Sequence, residues 1–397
     1  MGIDNKKIDT KKWGNIIFIV IVAIVLFFGL VRTVVFPNDI NYYENRYSNK
    51  IIAPNQSSIL DASFQNSVED ALSDQIPGAQ RLKKFYNEMH SLFSNFLVTP
   101  VIENNTTNYI NYKNGTRFFG GYYVYAPYTL ERVSEQFKAK AENYNTVFEA
   151  YPEIDFYVYY IEKDTDINFE SGEKINADDY LFSLLDLDDS RKRSFEINSF
   201  QEFSDYFYKT DHHWNYKGSY FAYLDVVNLL QADGTPIEKG KEVLIANEFM
   251  GSKAAASGSN IVTEPFYVYE FDFPTFQSIE RETKGNYGNQ EDYISSSPVE
   301  SISYSGFYGG DDGEIIFDTG NTDRENVLII GESYDNAILK LLATHFNKTH
   351  SIDLRNYEHF NGSPFDFRKY VEANDIDKVL FIGNSDFYYL NTFALEN

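Results

Sequence analysis

The 397-residue chain contains no cysteine, which excludes disulfides, thiolate metal sites and cysteine nucleophiles. That lack does not argue for a reducing compartment, because a chain this long can bury enough surface to do without disulfides. Positive charge is scarce as well, with a net charge of −25. The first 32 residues hold four Lys, one Arg and two Asp, a surplus of three positive charges, so the remainder carries −28. So acidic a body repels phosphate backbones, and a general nucleic-acid role is excluded. Histidine is sparse at six, yet two of the six are adjacent. There is no internal repeat.

What is abundant is aromatic. There are 32 Tyr and 34 Phe, which predict a large packed core and leave sugar-stacking surfaces as the lesser alternative. One long apolar run stands out, residues 16–31, flanked by Trp13 and Arg32 and extended by 33–36. Residues 13–36 are long enough to span a bilayer, which takes about 20 residues. Lys6, Lys7, Lys11 and Lys12 precede them, so the positive-inside rule predicts a cytoplasmic tail at 1–12 and an extracytoplasmic body. With no clear small-x-small cleavage site after the run, an uncleaved signal anchor is expected. Residues 37–57 read as a stalk, and 58–397 as the extracytoplasmic domain.

Within the body, residues 58–96 have helical periodicity, interrupted at Asp74-Gln75-Ile76-Pro77-Gly78. Asn114-Gly115 suits a hairpin turn within 98–128. A helix is expected over 129–151 and a buried strand over 154–161. Near the end, Val327-Leu328-Ile329-Ile330 and Val379-Leu380-Phe381-Ile382 read as buried strands. Helical patterns follow Ser333 and cover 365–374. Strands alternating with helices predict an α/β fold with a parallel sheet covered on both faces. Residues 232–326, rich in Gly, Ser, Asp and Glu, read as a β-containing insertion between its two halves.

Two segments carry candidate chemistry. In Gly331-Glu332-Ser333 a strand ends, a Gly permits a sharp turn, and a Ser opens the next helix, whose free N–H groups would face an oxyanion. The plainer reading of Ser333 is a helix N-cap. In Thr210-Asp211-His212-His213-Trp214-Asn215, His213 supplies an imidazole, the side chain suited to act as base for a Ser, and Asp211 a carboxylate to orient it. Two residues apart in an extended loop, they face one side, with His212 pointing away. A metal site on Asp211, His212 and His213 is disfavoured, since adjacent ligands rarely converge on one ion. A helix start with Asp211 as cap and Trp214 and Tyr216 as packing residues is compatible with catalysis.

Asp-His-His-Trp followed by Asn and Gly resembles the DHHW family and the related alginate O-acetyltransferase group, which look like permuted SGNH hydrolases. In them an Asp-x-His pair precedes a Ser in a Gly-[Asp/Glu/Thr]-Ser turn, here Asp211, His213 and Ser333. Asn45-Arg46, Asp74-Gln75-Ile76-Pro77 and Asp353-Leu354-Arg355 look like further family features. The resemblance covers roughly residues 40–390. It implies an SGNH-like α/β fold and a Ser333 nucleophile with His213 as base and Asp211 orienting it. The implied reaction is acyl transfer, most simply of acetyl, to a cell-surface or exported polysaccharide. It also implies a membrane-bound acyltransferase as acetyl donor, with no cofactor and no metal. Asn384, in Gly383-Asn384-Ser385-Asp386, resembles the oxyanion Asn of SGNH enzymes shifted by one position, with a plain turn as the alternative. Arg355 either orients an acyl or sugar oxygen or pairs with a carboxylate. Trp214 is a third substrate-side candidate. The competing functions are a glycan acetylesterase with the same residues and a non-catalytic glycan-binding or assembly protein.

Overall fold

Alternation along three apolar runs organises the structure. Seven strands form one sheet: β1 (Asp155–Ile161), β2 (Lys192–Phe195), β3 (Ser278–Arg281), β4 (Glu314–Asp318), β5 (Val327–Ile330), β6 (Lys348–Ile352) and β7 (Lys378–Gly383), in the order β3-β4-β6-β5-β7-β1-β2. From β6 to β2 all neighbours are parallel, while β4 runs antiparallel to both β6 and β3. Successive side chains of a strand face opposite ways. Tyr157, Tyr159 and Ile161 of β1, Val327 and Ile329 of β5, and Leu380 and Ile382 of β7 enter one core, with Ala222, Tyr223 and Val226 of the helix Tyr216–Leu229. Phe156, Val158 and Tyr160, Leu328 and Ile330, and Val379 and Phe381 enter the other. There they meet Val133, Phe137, Ala141, Tyr144 and Val147 of the helix Leu130–Ala150, whose spacing of three and four keeps them on one face. Both faces are buried, as near-continuous apolar strands require. Many of the aromatic rings lie in these cores, including Tyr144, Tyr159, Tyr160, Tyr223 and Phe156.

The computed structural model describes residues 10–390, apart from 37–39, 42–45, 61, 76–77, 104–106, 113–114, 259–260 and 282–289. The chain divides into two units, residues 1–94 and 95–397. The first contains the helices Thr10–Val35, Gln56–Leu60 and Ser63–Gln75, and a two-stranded ribbon pairing Ile40–Asn41 with Arg46–Tyr47. In the helix Thr10–Val35 the side chains described without a break are those of residues 14–29. Among the described residues no helix is long and apolar enough to cross a membrane. Ile76 and Pro77, Asn45, and Asn114 of the expected hairpin turn lie outside the described residues. The strands around that turn, Ile110–Asn111 and Arg117–Phe119, pair antiparallel.

Two expectations are corrected in the second unit. Residues 232–326 do more than interrupt the core, because β3 and β4 come from them and extend the central sheet. The rest builds a second sheet, Glu264–Tyr269, Glu242–Phe249 and Val299–Ile302 in that order, over a core of Tyr208, Ile245, Phe249, Phe266, Tyr304 and Phe307. Nor does Ser333 open an α-helix. A turn leads into a 3-10 segment, Asp335–Ala337, and then a five-residue helix, Leu339–Ala343. Ile338 donates to the Asp335 carbonyl at 2.7 Å, a contact three residues back that tightens the chain, while Ile338, Leu341 and Leu342 still reach the core.

Candidate active site

Three parallel strands end side by side, and each is followed by a residue of interest. β5 leads to Gly331-Glu332-Ser333, β6 to Asp353, and β7 to Asn384. The Gly331 N–H donates to the Ile352 carbonyl at 3.2 Å, continuing the ladder past the end of β5. A side chain at 331 would meet the Asp335 carboxylate at 2.1 Å and Ile382 at 2.9 Å, so those side chains would have to move to admit one.

The Asp211–His213 loop is built differently. Phe207 bridges Trp214, and Asn215 donates its N–H to the Tyr206 carbonyl at 2.7 Å, closing a bent loop. The Asn215 side chain caps the following helix, accepting from the N–H groups of Lys217 and Gly218 at 2.9 and 3.1 Å. It also donates to the Asp205 carbonyl at 3.0 Å. A side chain at Gly218 would strike the Tyr206 carbonyl at 2.4 Å and Trp214 at 2.9 Å. The Trp-Asn and Gly of the motif are therefore structural: Trp packs, Asn caps and Gly admits a neighbouring chain. Asn215, not Asp211, caps the helix.

Within the loop, Asp211 Oδ1 accepts from the His213 N–H at 2.9 Å and lies 2.5 Å from His213 Nδ1. His213 Nε2 lies 2.7 Å from Ser333 Oγ. All three residues are buried. A carboxylate, an imidazole and a hydroxyl thus form one hydrogen-bonded chain, within the reach of about 2.6–3.2 Å that proton transfer needs on the Ser side. Burial by itself would raise the Asp211 carboxyl. The charges of His213 and His212, the His213 hydrogen bond and the Ser252 N–H outweigh it and hold Asp211 well below the ordinary carboxylate range. Asp211 is therefore an anion positioned to steady an imidazolium.

His212 does not point away. The loop bends rather than extends, so its ring lies 3.9 Å from that of His213, with Nδ1 2.6 Å from Ser252 Oγ. Asp211, His212 and His213 hold ligand-type atoms within 4.8 Å of one another. Both ring nitrogens of His213 already have partners, so a cation there would have to break the Asp211 or the Ser333 contact.

The other three candidates have different surroundings. Trp214 is fully buried, edge-on to Tyr334 at 5.4 Å and against Phe195 at 5.7 Å, so it offers no face to a sugar. Asn384 donates its amide to Glu332 at 2.7 Å and accepts from the Asp386 N–H at 2.8 Å, the local bond of a turn. Arg355 grips Asp353 through Nε at 2.9 Å and Nη2 at 2.5 Å, reaches Asp311 at 3.2 Å and lies 3.9 Å from Glu332. Its carboxylate-pairing alternative is the arrangement present. Burial raises the Glu332 carboxyl against the pull of Arg355 and Lys163.

Several contributors had no mark in the sequence. The Ser252 N–H donates to Asp211 Oδ2 at 2.6 Å. Gly251 sits so close to Asp211 that a Cβ would fall 2.2 Å from the Asp211 Cβ. Glu264 accepts from both the N–H and the hydroxyl of Thr210 at 2.9 Å. Tyr304 lies flat on the His213 ring, centroids 3.8 Å apart and planes within 1°.

This site lies at the carboxyl edge of a parallel-rich sheet, where α/β folds place their sites. The chain belongs to the DHHW protein family, which matches residues 101–352. Among solved structures it is similar to PatB1 of Bacillus cereus carrying a sulfonyl adduct, at 19% identity and a TM-score of 0.52, covering 70% of this chain and 95% of that one. It also matches a DHHW family protein of Eubacterium siraeum, at 18% identity and a TM-score of 0.48, over 71% and 94% of the two chains. A third match is the O-acetyltransferase domain of Pseudomonas putida AlgJ, at 9% identity and a TM-score of 0.38, over 72% and 94%. At these identities the likeness is one of fold. No curated protein sequence matches the chain.

Proposed function

We propose that the protein is an extracytoplasmic acyltransferase that moves an acyl group, acetyl in the simplest case, through Ser333 to hydroxyls of a cell-surface or exported polysaccharide. The observation that carries this reading is the hydrogen-bonded chain from Asp211 through His213 to Ser333 at the sheet edge. His213 takes the Ser333 proton as Oγ attacks the donor's carbonyl carbon, and Asp211 steadies the imidazolium that forms. The donor's leaving group departs with that proton, leaving an acyl ester on Ser333. A sugar hydroxyl then gives its proton to His213, attacks the ester and regenerates Ser333. Membership of the DHHW family and the PatB1-like fold support the acyl chemistry. The O-acetyl product rests on the resemblance to alginate O-acetyltransferases.

The same proposal includes the address. Residues 13–36 anchor the chain as one span with the N-terminus in the cytoplasm, supported by the exposed apolar side chains from Ile16 to Phe28 and the lysines before them. A membrane-bound acyltransferase would export the acetyl group, and anchoring would raise its effective concentration at Ser333.

The ectodomain, given p-nitrophenyl acetate and glycan oligomers, should release nitrophenol and produce acetylated glycan. S333A should lose at least about 10³-fold in rate. A sulfonyl fluoride should label Ser333, as a sulfonyl adduct forms on PatB1. Acetate without acetylated glycan would assign an esterase. Unchanged glycan acetylation in cells carrying S333A would reject the catalytic reading.

A further inference from the structure

We propose that Tyr304 is a positioning residue of this site, holding the plane of His213 and favouring its cationic form while the proton from Ser333 resides on it. The inference rests on the catalytic reading above, and it draws on a segment far from either motif. Tyr304 begins the short helix Tyr304–Tyr308, whose N-cap Ser303 accepts from the Gly306 N–H at 3.0 Å. That helix is buried in the core of the second sheet through Phe307, which packs on Phe266. The Tyr304 ring also packs against Tyr308, centroids 4.7 Å apart, and presents one face to His213.

The imidazole is enclosed on every side that matters. Asp211 takes Nδ1 and Ser333 takes Nε2. The His212 ring lies alongside, Tyr334 packs against it at 5.0 Å, and Tyr304 covers one face in parallel contact at 3.8 Å. A ring pinned at both nitrogens retains only a swing about the axis joining them, and a flat neighbour on its face blocks that swing. The negative face of an aromatic ring also attracts a cation, more strongly where water is excluded. The Tyr304 hydroxyl donates to the Ser333 carbonyl at 3.2 Å, so one side chain braces both partners of the proton transfer. Burial holds its phenol well above the ordinary range, which keeps it a neutral donor.

Three variants of the full-length protein separate these roles, read with p-nitrophenyl acetate. Y304F keeps the stack and loses the hydroxyl, and should lower kcat/KM about 3-fold with an unchanged pH profile. Y304L loses both. Its kcat/KM should fall about 10-fold or more, and the acidic limb of its profile should move down by about half to one and a half pH units, the span of cation–π contacts from exposed to desolvated. Pentafluorophenylalanine at 304 keeps the shape but removes the attraction for a cation, and should move the limb as Y304L does. It answers the question if Y304L does not fold.

An unmoved acidic limb in the fluorinated variant, in an enzyme whose wild type turns over, would overturn the role in favouring the cation. Full activity in Y304L would overturn positioning altogether. A wild type that neither hydrolyses the ester nor takes a sulfonyl label at Ser333 would instead reject the catalytic reading. NMR titration of the His213 ring in wild type and variants still tests the stacking claim in that case, because it needs no turnover.

Discussion

The Ser333 turn and the Asp211–His213 loop meet across 2.7 Å, yet they are held in opposite ways. Ser333 is positioned by its own strand: β5 is fully buried, both its neighbours are parallel, and the residue follows the strand end by three positions. The loop has no such ladder. Its place is fixed by side chains and N–H groups from elsewhere: Ser252 on Asp211, Glu264 on Thr210, Tyr304 on His213. A sheet edge is stiff by construction, whereas a loop is only as precise as what surrounds it. The segment that read as an insertion is what makes the loop precise.

The strongest way to break this comparison is at the joint where the loop's support meets the sheet. Lys253 follows Ser252 and is buried against Asp164, 2.6 Å away and just beyond the end of β1. Asp164 also accepts the Tyr125 N–H at 2.6 Å. Replacing one partner strands a buried charge, so K253M should lower the unfolding free energy by about 3–5 kcal/mol, measured by urea denaturation. The apolar pair K253M/D164L should recover most of that loss. If K253M is as stable as wild type, the ion pair is not the joint.

That joint was invisible in the sequence, and so were most supports of the loop. The run Val327-Leu328-Ile329-Ile330 is continuous and ends at a Gly, so strand, turn and Ser333 could be read locally, and β5 coincides with it. Asp211 and His213 could be paired because two positions separate them. Ser252, Glu264 and Tyr304 lie about 40 to 90 positions further on, among residues with no periodicity of their own, and only tertiary packing brings them back. Two misreadings have the same origin. Apolar spacing after Ser333 suits a helix, but a 3-10 turn and a short helix satisfy the core equally well. Trp214 looked available to a ligand because sequence does not reveal that Phe195 and Tyr334 enclose it.

A second test compares two glycines. At Gly331 an added Cβ meets the ends of side chains, Asp335 Oδ2 and Ile382 Cγ2, which can turn aside. At Gly251 it meets Asp211 itself, 2.2 Å from Cβ and 2.6 Å from Cα, so the loop must move. G251A should cost about 1–3 kcal/mol of stability. It should also lower kcat/KM about 100-fold, because displacing a reacting group by about 1 Å has that effect. G331A should lose less on both measures. Equal losses in the two variants would mean that the loop is no more dependent on its surroundings than the turn.

The smallest effect, and the finest division of the two regions, is in pH. Glu162, just past the end of β1, and Glu264, beneath Thr210, are both raised to about 7 chiefly by burial. Glu162 accepts from Lys174 at 2.7 Å and from the Ile197 N–H at 2.6 Å, away from the loop. Between an unfolded value near 4.5 and a folded value near 7, the native state holds a proton that the unfolded chain has released. Stability from each group is therefore complete below about 4.5 and is lost as pH rises through about 7. Between pH 5 and 8 each should remove on the order of 2 kcal/mol, a few degrees in Tm. E162Q and E264Q should each flatten the fall in Tm over that range. Only E264Q should also alter how activity depends on pH, since a Gln at 264 can still accept from Thr210, the residue before Asp211, but never gains a charge there. If E162Q changes the activity profile as much as E264Q does, the sheet and the loop titrate as one body and the division drawn between them fails.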